Sequence, residues 1–379
     1  MIEIGKGKET IGILTHVDVV DAGDLNKWET PPFKGIFDGE FIIGRGAMDD
    51  KVPTVVIFNI LKVLNSLNLD FKRRIQLIIG TKEEETWTDM DSFLSEFKTP
   101  DFSFTPDGAF PIHNIEKGYA DVEISFPFEN TFPNGRIMTL KSGDSPNTIP
   151  SRGSFIFHQN LKDRTIELIS SGESSHSSLP QNGDNALTKL CKMIKGLELG
   201  SERFEQILDF ILLMDKVYDG SSLGFQNDTN QFNGEFIGET YANPTVLEFK
   251  DKEIIININI RHKLGVTRQS IMKLFEKHSI SFGFDFKISN YLDPLYVNKN
   301  HSLFDLMEKA YTDVTGIAGG FEMAGGTSYA KALPNTVSWG PVFPGEKDSC
   351  HQENEKISID SVMKCAEIYG RFLYEACID

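Results

Sequence analysis

Apolar and polar positions along the first third of the chain switch between two periods. Short apolar runs at residues 11–20 (IGILTHVDVV) and 73–80 (RRIQLIIG) have the length and β-branched content of buried strands. The stretches that follow them, 52–67 (VPTVVIFNILKVLNSL) and 89–97 (DMDSFLSEF), repeat their apolar residues at helical spacing. Strand, run of helix, strand and helix again predict an α/β fold with a largely parallel sheet.

From about Gly118 the texture changes. Residues 119–128 (YADVEISFPF) and 155–157 (FIF) read as strands of a partly solvated sheet, and 185–197 and 204–217 read as amphipathic helices. Residues 253–261 (EIIININIR) alternate strictly, which places Ile254, Ile256, Ile258 and Ile260 on one face and Asn257, Asn259 and Arg261 on the other. This middle stretch predicts a separate α+β domain. Beyond it come a helical pattern at 302–316, a glycine-bearing loop at 324–331 (AGGTSYAK), an apolar run at 336–340 (TVSWG) and a last helix from about Ile359. Because the end resembles the beginning, the chain reads as one α/β domain from residues 1–116 and 293–379, with residues 117–292 inserted.

Composition narrows the function classes. A chain of 379 residues with 40% apolar and 25% charged positions is long enough for two globular domains. It has no apolar run of about 18 residues and no signal-peptide core at its start, so the cytoplasm is the simplest location. A formal charge of -17 repels nucleic acid and anionic membranes, which removes both as expected partners. The four cysteines form no CxxC pair and are expected to be free thiols.

Candidate chemistry gathers at strand ends. His16 and Asp18 follow an apolar strand, where residues two apart share a face, and a carboxylate beside a metal-bound histidine commonly holds its second ring nitrogen. Asp49 and Asp50 follow Gly44-Arg45-Gly46 and precede a helix. One of them can cap that helix, whereas a carboxylate with two oxygens can also bridge two cations. Glu83 and Glu84 lie just past the strand at 73–80, where α/β sheets collect their sites. One can bind a metal while its neighbour takes a proton from water; as a bare EEE run they also read as solvated charge. Asp107, in a Thr-Pro-Asp-Gly turn, and His351, in a late loop, complete the set. A turn and an exposed loop explain those two equally well when each is taken alone. Together, two histidines and three carboxylates suit Zn²⁺ or Mn²⁺, and the absence of cysteine ligands argues against structural zinc or an iron–sulfur cluster.

The ordered motifs THVDVVDAGD, GRGAMDDK, GTKEEETW, TPDGAFPI, NTIP, SHSSLPQNGDNA, NIR, GGTSYAK and FPGEKDSCHQENE resemble the M20 metallopeptidase family along essentially the whole chain, and within it the PepV-like dipeptidases. The resemblance implies a zinc-peptidase-like catalytic domain, with a mixed or parallel sheet and helices on both faces, and an inserted α+β lid. It implies that His16, Asp49 and Asp107 hold one metal and that Asp49, Glu84 and His351 hold the other. Zn²⁺ is the expected ion, with Mn²⁺ or Co²⁺ able to share such ligands. Glu83 matches the general base, Asp18 the residue that orients the metal-bound histidine, and Asp49–Asp50 the family's cis peptide bond. In the inserted domain, Asn147, His176 and Arg261 match residues that reach over the substrate, with Gly325, Gly326 and Thr327 contributing from the catalytic domain. His176 would polarise the scissile carbonyl, and Arg261 would hold the α-carboxylate of a short peptide.

The implied activity is metal-assisted amide hydrolysis of dipeptides or other short peptides, with a monomer favoured and a homodimer as the alternative. An N-acyl amino acid deacylase and a catalytically silent peptide-binding relative are the competing readings. The chain departs from the family in three places. The strand carrying the histidine motif starts about ten residues in, where relatives carry a preceding helical segment, and this reads as a shortened front. Lys82 stands where an Asp is usual and is expected to depress Glu83. The GGTSYAK loop differs slightly from the usual form.

Overall fold

The apolar run around Ile13 forms the strand Thr10–His16, paired in parallel with Arg74–Gly80 on one side and Phe102–Thr105 on the other. The structure, a computed structural model, describes residues 1–160, 163–226 and 229–378. The chain divides into two units, Met1–Ile115 with Leu295–Asp379, and Glu116–Pro294.

The sheet of the first unit runs in the order Ile2–Ile4, Arg74–Gly80, Thr10–His16, Phe102–Thr105, Thr336–Trp339, Ile112–Glu116 and Leu295–Tyr296, with Phe321–Ala324 also paired to Ile112–Glu116. It is mixed rather than largely parallel, because Ile2–Ile4 runs antiparallel to its neighbour and Ile112–Glu116 runs antiparallel to Thr336–Trp339. Its central strands are apolar throughout because both faces are covered. Ile11, Ile13, Ile75 and Leu77 pack in one cluster with Ile57 and Leu61 of the helix Lys51–Ser66 and with Ile368 and Phe372 of the helix Ile359–Cys377. Leu14 and Ile78 point the other way, into a smaller cluster with Met90 and Phe93 of the helix Thr88–Glu96. Full burial of each such side chain contributes roughly 1.5–3 kcal/mol.

The second unit is built on a seven-stranded antiparallel sheet, in the order Arg164–Ser171, Arg152–Gln159, Gly135–Ser142, Tyr241–Lys250, Glu253–His262, Gly118–Pro127 and Asp285–Leu292. The alternation of 253–261 is realised: Ile254, Ile256, Ile258 and Ile260 are all fully buried in one core. Residues of the helices Ala186–Lys195, Glu202–Leu212 and Arg268–Phe282 complete that core. Among the described residues no helix is long and apolar enough to cross a membrane. Cys191, Cys350, Cys365 and Cys377 are free thiols.

Candidate metal centre

Three strands of the first unit end at the same place. Thr10–His16 delivers His16, Arg74–Gly80 leads into Glu83 and Glu84, and Phe102–Thr105 leads into Asp107. Asp49 arrives from the glycine-rich turn before the helix Lys51–Ser66, and its peptide bond to Asp50 is cis. His351 comes from the loop before the final helix and has a left-handed backbone, with φ +63°.

Asp49 stands between the two imidazoles. Its Oδ1 is 2.8 Å from His16 Nε2 and its Oδ2 is 2.9 Å from His351 Nε2. Glu84 Oε1 is 3.0 Å from His351 Nε2, and Asp107 Oδ2 is 3.9 Å from His16 Nε2. Ligand atoms of Asp49, Glu84 and His351 all fall within 4.8 Å of one another, as do those of His16, Glu83 and Asp107. Glu83, expected only as a base, thus also has the position of a ligand atom beside His16.

These donors fit divalent cations. His16 Nε2 and Asp49 Oδ1 are buried and form no aligned hydrogen bond, although they are 2.8 Å apart. Nitrogen and oxygen atoms of this kind, buried and close together, are donors that a divalent cation takes. Without a cation the electrostatics are costly. Burial, reinforced by the Asp49 carboxylate, pushes Asp107 up to about 8. Burial and the charge of Asp107 hold Glu83 well above the usual carboxylate range. Burial disfavours a charged His16, yet the nearby Asp49, Asp107 and Asp50 outweigh it and push the imidazole up to about 11.

Several sequence expectations change at close range. The strand ends at His16, so Asp18 does not share a strand face with it. His16 Nδ1 lies 3.1 Å from the Asp18 main-chain oxygen and 3.4 Å from its carboxylate. The carboxylate also accepts the backbone N–H groups of Glu83, at 3.3 Å, and Glu84, at 3.1 Å. Asp18 therefore ties the histidine strand to the glutamate loop. Asp50 occupies the N-cap position of Lys51–Ser66 without a capping bond and accepts the N–H of His16 at 3.1 Å. Lys82 does not depress Glu83, because its ammonium is 2.6 Å from Glu85 Oε2, while burial and neighbouring acids dominate Glu83.

Other supports went unread in the sequence. Asp89 Oδ2 accepts the N–H groups of Thr81 and Lys82, at 2.6 and 3.0 Å, and the hydroxyl of Tyr329 at 2.7 Å. Trp87 donates its indole N–H to the Glu83 carbonyl at 2.6 Å. Glu355 is fully buried. It accepts from the Arg45 guanidinium and from the N–H groups of Gly46, Met48 and Asp49. The only sequence signal for it is an acid flanked by a metal-ligand-bearing loop and a short strand.

In the second unit the structure brings Asn147, His176 and Arg261 together. The strand Thr148–Ile149 pairs with Ser175–His176, and Ser177 donates its N–H to the Asn147 carbonyl at 2.9 Å. His176 Nε2 lies 3.4 Å from Arg261 Nη2, and its Nδ1 lies 2.6 Å from Ser178 Oγ. Arg261 is buried, and burial lowers its guanidinium to about 10 against the opposing charges of Tyr119 and Asp121. Gly325, Gly326 and Thr327 belong to a loop of the first unit, where Thr327 Oγ1 accepts from Lys331 Nζ at 2.9 Å.

An α/β sheet whose strand ends and adjoining loops gather two histidines and several acids is a framework suited to metal-dependent hydrolysis. The chain belongs to peptidase family M20/M25/M40, whose family model matches residues 12–375, and it is accordingly a hydrolase of peptide bonds. It is 31% identical over 404 residues to the protein named "Putative dipeptidase YtjP" of Bacillus subtilis (strain 168), covering 99% of this chain and 84% of that one. Aminoacylhistidine dipeptidase from Vibrio alginolyticus has a similar fold, with a TM-score of 0.63 at 13% identity, covering 99% of this chain and 87% of that one. So does the M20 family metallo-carboxypeptidase Sso-CP2 from Sulfolobus solfataricus, with a TM-score of 0.60 at 17% identity, covering 98% of this chain and 86% of that one.

Proposed function

We propose that the chain is a dinuclear metallo-dipeptidase that hydrolyses the amide bond of dipeptides and other short peptides. The observation that carries this reading is Asp49, which turns one carboxylate oxygen to each of two histidines, at 2.8 and 2.9 Å. His16, Asp49 and Asp107 would hold one cation and Asp49, Glu84 and His351 the other, with Zn²⁺ expected and Mn²⁺ or Co²⁺ as substitutes. Bound there, the cations supply Lewis acidity, which polarises a carbonyl and acidifies water.

The chain's own residues do the rest. Glu83 takes a proton from the attacking water and returns it to the leaving amine. Asp18 holds Glu83 and Glu84 by their N–H groups, so the base and its ligand neighbour keep a fixed spacing. His176 donates to the oxygen of the tetrahedral intermediate, the position at which preorganised donors matter most. Arg261 receives the α-carboxylate of the peptide, for which a planar guanidinium is suited. Asn147 and the 325–327 loop complete peptide recognition. In this reading the first unit is the catalytic domain and the second the lid, and the protein acts as a cytoplasmic monomer.

The test is a dipeptide panel, with N-acetylated counterparts, assayed on metal-stripped protein reconstituted separately with Zn²⁺, Mn²⁺ and Co²⁺. Activity that returns at two equivalents of metal per chain and favours free dipeptides supports the proposal. Preference for the N-acetylated substrates makes the protein a deacylase instead, and no turnover with any ion overturns the hydrolytic assignment.

A further inference from the structure

The register of three strands fixes what surrounds Arg261. Where Gly118–Pro127 pairs with Glu253–His262, Tyr119 lies opposite Arg261 and Asp121 lies opposite Asn259. On the other side of Asp121, the strand Asp285–Leu292 brings up Asn290. Residues two apart on a strand share a face, so these five side chains form one polar patch on the side of the sheet away from Ile254, Ile256, Ile258 and Ile260.

Asp121 organises that patch. It is 1% exposed. Its Oδ1 accepts from Asn259 Nδ2 at 2.9 Å, and its Oδ2 accepts from Asn290 Nδ2 at 3.2 Å and from the Tyr119 hydroxyl. Both Asp121 oxygens act as acceptors here, so Asn259 turns its NH₂ group toward Asp121. Its Oδ1 is then left facing Arg261 Nε, 3.3 Å away. The bond from Tyr119 likewise sets the ring whose face lies 4.6 Å from the Arg261 guanidinium carbon. Among the described residues, the other hydrogen-bond contacts of Arg261 are Ser177 Oγ and His176 Nε2, and none of them is a carboxylate. One buried acid therefore fixes two groups that touch the guanidinium, without itself occupying the positions an incoming anion needs.

We propose that Asp121 is a positioning residue for Arg261 and, through it, sets the preference for peptides with a free C-terminal carboxylate. The inference rests on the reading of Arg261 given under Proposed function. In Asp121→Asn the new amide cannot accept from all three donors. Asn259 is then released to rotate, and rotation would set its NH₂ group against the guanidinium, donor facing donor.

The experiment compares a dipeptide with its C-terminal amide as substrates of the metal-loaded enzyme, and reads the ratio of the two kcat/KM values. Asp121→Asn is expected to lower the ratio of acid to amide about tenfold, the loss of roughly one hydrogen bond to a charged group. The change should fall on KM for the acid, with kcat within about threefold of wild type. Asn259→Ala and Asn290→Ala each remove one donor from Asp121, but only Asn259 touches Arg261. Asn259→Ala should therefore reproduce the effect while Asn290→Ala leaves the ratio unchanged, and this comparison stands even if Asp121→Asn fails to fold. Equal effects of the two asparagine variants, or an unchanged ratio in Asn259→Ala, overturn the inference. Arg261→Ala tests the underlying reading separately: if it leaves the ratio of acid to amide intact, Arg261 is not the carboxylate receptor and the proposal fails with it.

Discussion

Glu355 and Arg45, 310 positions apart in the chain, form a buried ion pair in which Arg45 Nη1 donates to Glu355 Oε2 at 2.8 Å. The same carboxylate accepts the N–H of Gly46 at 3.1 Å on Oε2, and those of Met48 and Asp49 at 2.8 and 3.1 Å on Oε1. The turn that presents Asp49 is thus clamped from the far end of the sequence.

Breaking that clamp should be expensive. In Glu355→Gln the amide cannot accept from every donor, and the Arg45 charge is left buried without its counterion. Removing one partner of a buried pair typically costs about 3–5 kcal/mol. Chemical denaturation of the metal-free protein should show a loss of that size, and calorimetric titration should show weaker metal binding because Asp49 is less well held.

Glu83→Gln separates two roles. As the general base, Glu83 should contribute about 10²–10⁴-fold to turnover, so the variant loses that much in kcat while still binding two equivalents of metal. A carboxylate oxygen of Glu83 also lies within 4.8 Å of ligand atoms of His16 and Asp107. A drop in metal stoichiometry measured by elemental analysis would reassign Glu83 as a ligand.

Asp49 and Asp107 should differ in how many ions they govern. Asp49 faces both histidines, whereas Asp107 approaches only His16. Asp49→Ala is expected to weaken both sites by more than about 100-fold, and Asp107→Ala to weaken one. Metal content after dialysis against a graded chelator reads the difference directly.

Lys117 predicts a dependence of stability on pH. Its side chain is 3% exposed and its ammonium sits 3.4 Å from the centroid of the Tyr241 ring. Burial, partly offset by Glu239 and aided by Arg261, brings its pKa down to about 8 from the ordinary 10.5. The folded state therefore holds fewer protons than the unfolded state between those values, so this group's contribution to stability rises with pH across the window. Below pH 8 its cost is fully present, up to about 3 kcal/mol. Denaturation of wild type and Lys117→Met at pH 7.5 and pH 10 should show the stability gap between them narrow by that order as pH rises.

Some of this was legible in the sequence for a physical reason. The central strands are covered on both faces, with Ile13 in one core and Leu14 in another, so their apolar runs stand out. Alternation marked Ile254, Ile256, Ile258 and Ile260 as one core face because the other face of that strand, Ile255 apart, is polar. Short strands such as Ile2–Ile4 carry too few residues to show a period, and this is why the sheet reads as more parallel than it is. The partners of Glu355, 306 to 310 positions away, leave no local pattern at all. Asp18 meets His16 by another route than its spacing implies, since a two-residue period holds only while the strand continues and this one stops at His16.

The position of Thr336–Trp339 bears on how the molecule is made. It lies between Phe102–Thr105 and Ile112–Glu116, in the middle of the first unit's sheet. A ribosome synthesises the flanking strands, and then the whole contiguous stretch Glu116–Pro294, before it reaches this one. Order of synthesis thus places both neighbours of this strand ahead of it, and the edges they turn toward each other can be joined only once residues 336–339 have been made. His351 lies further along the chain, so the cluster it forms with Asp49 and Glu84 cannot be completed before that strand exists.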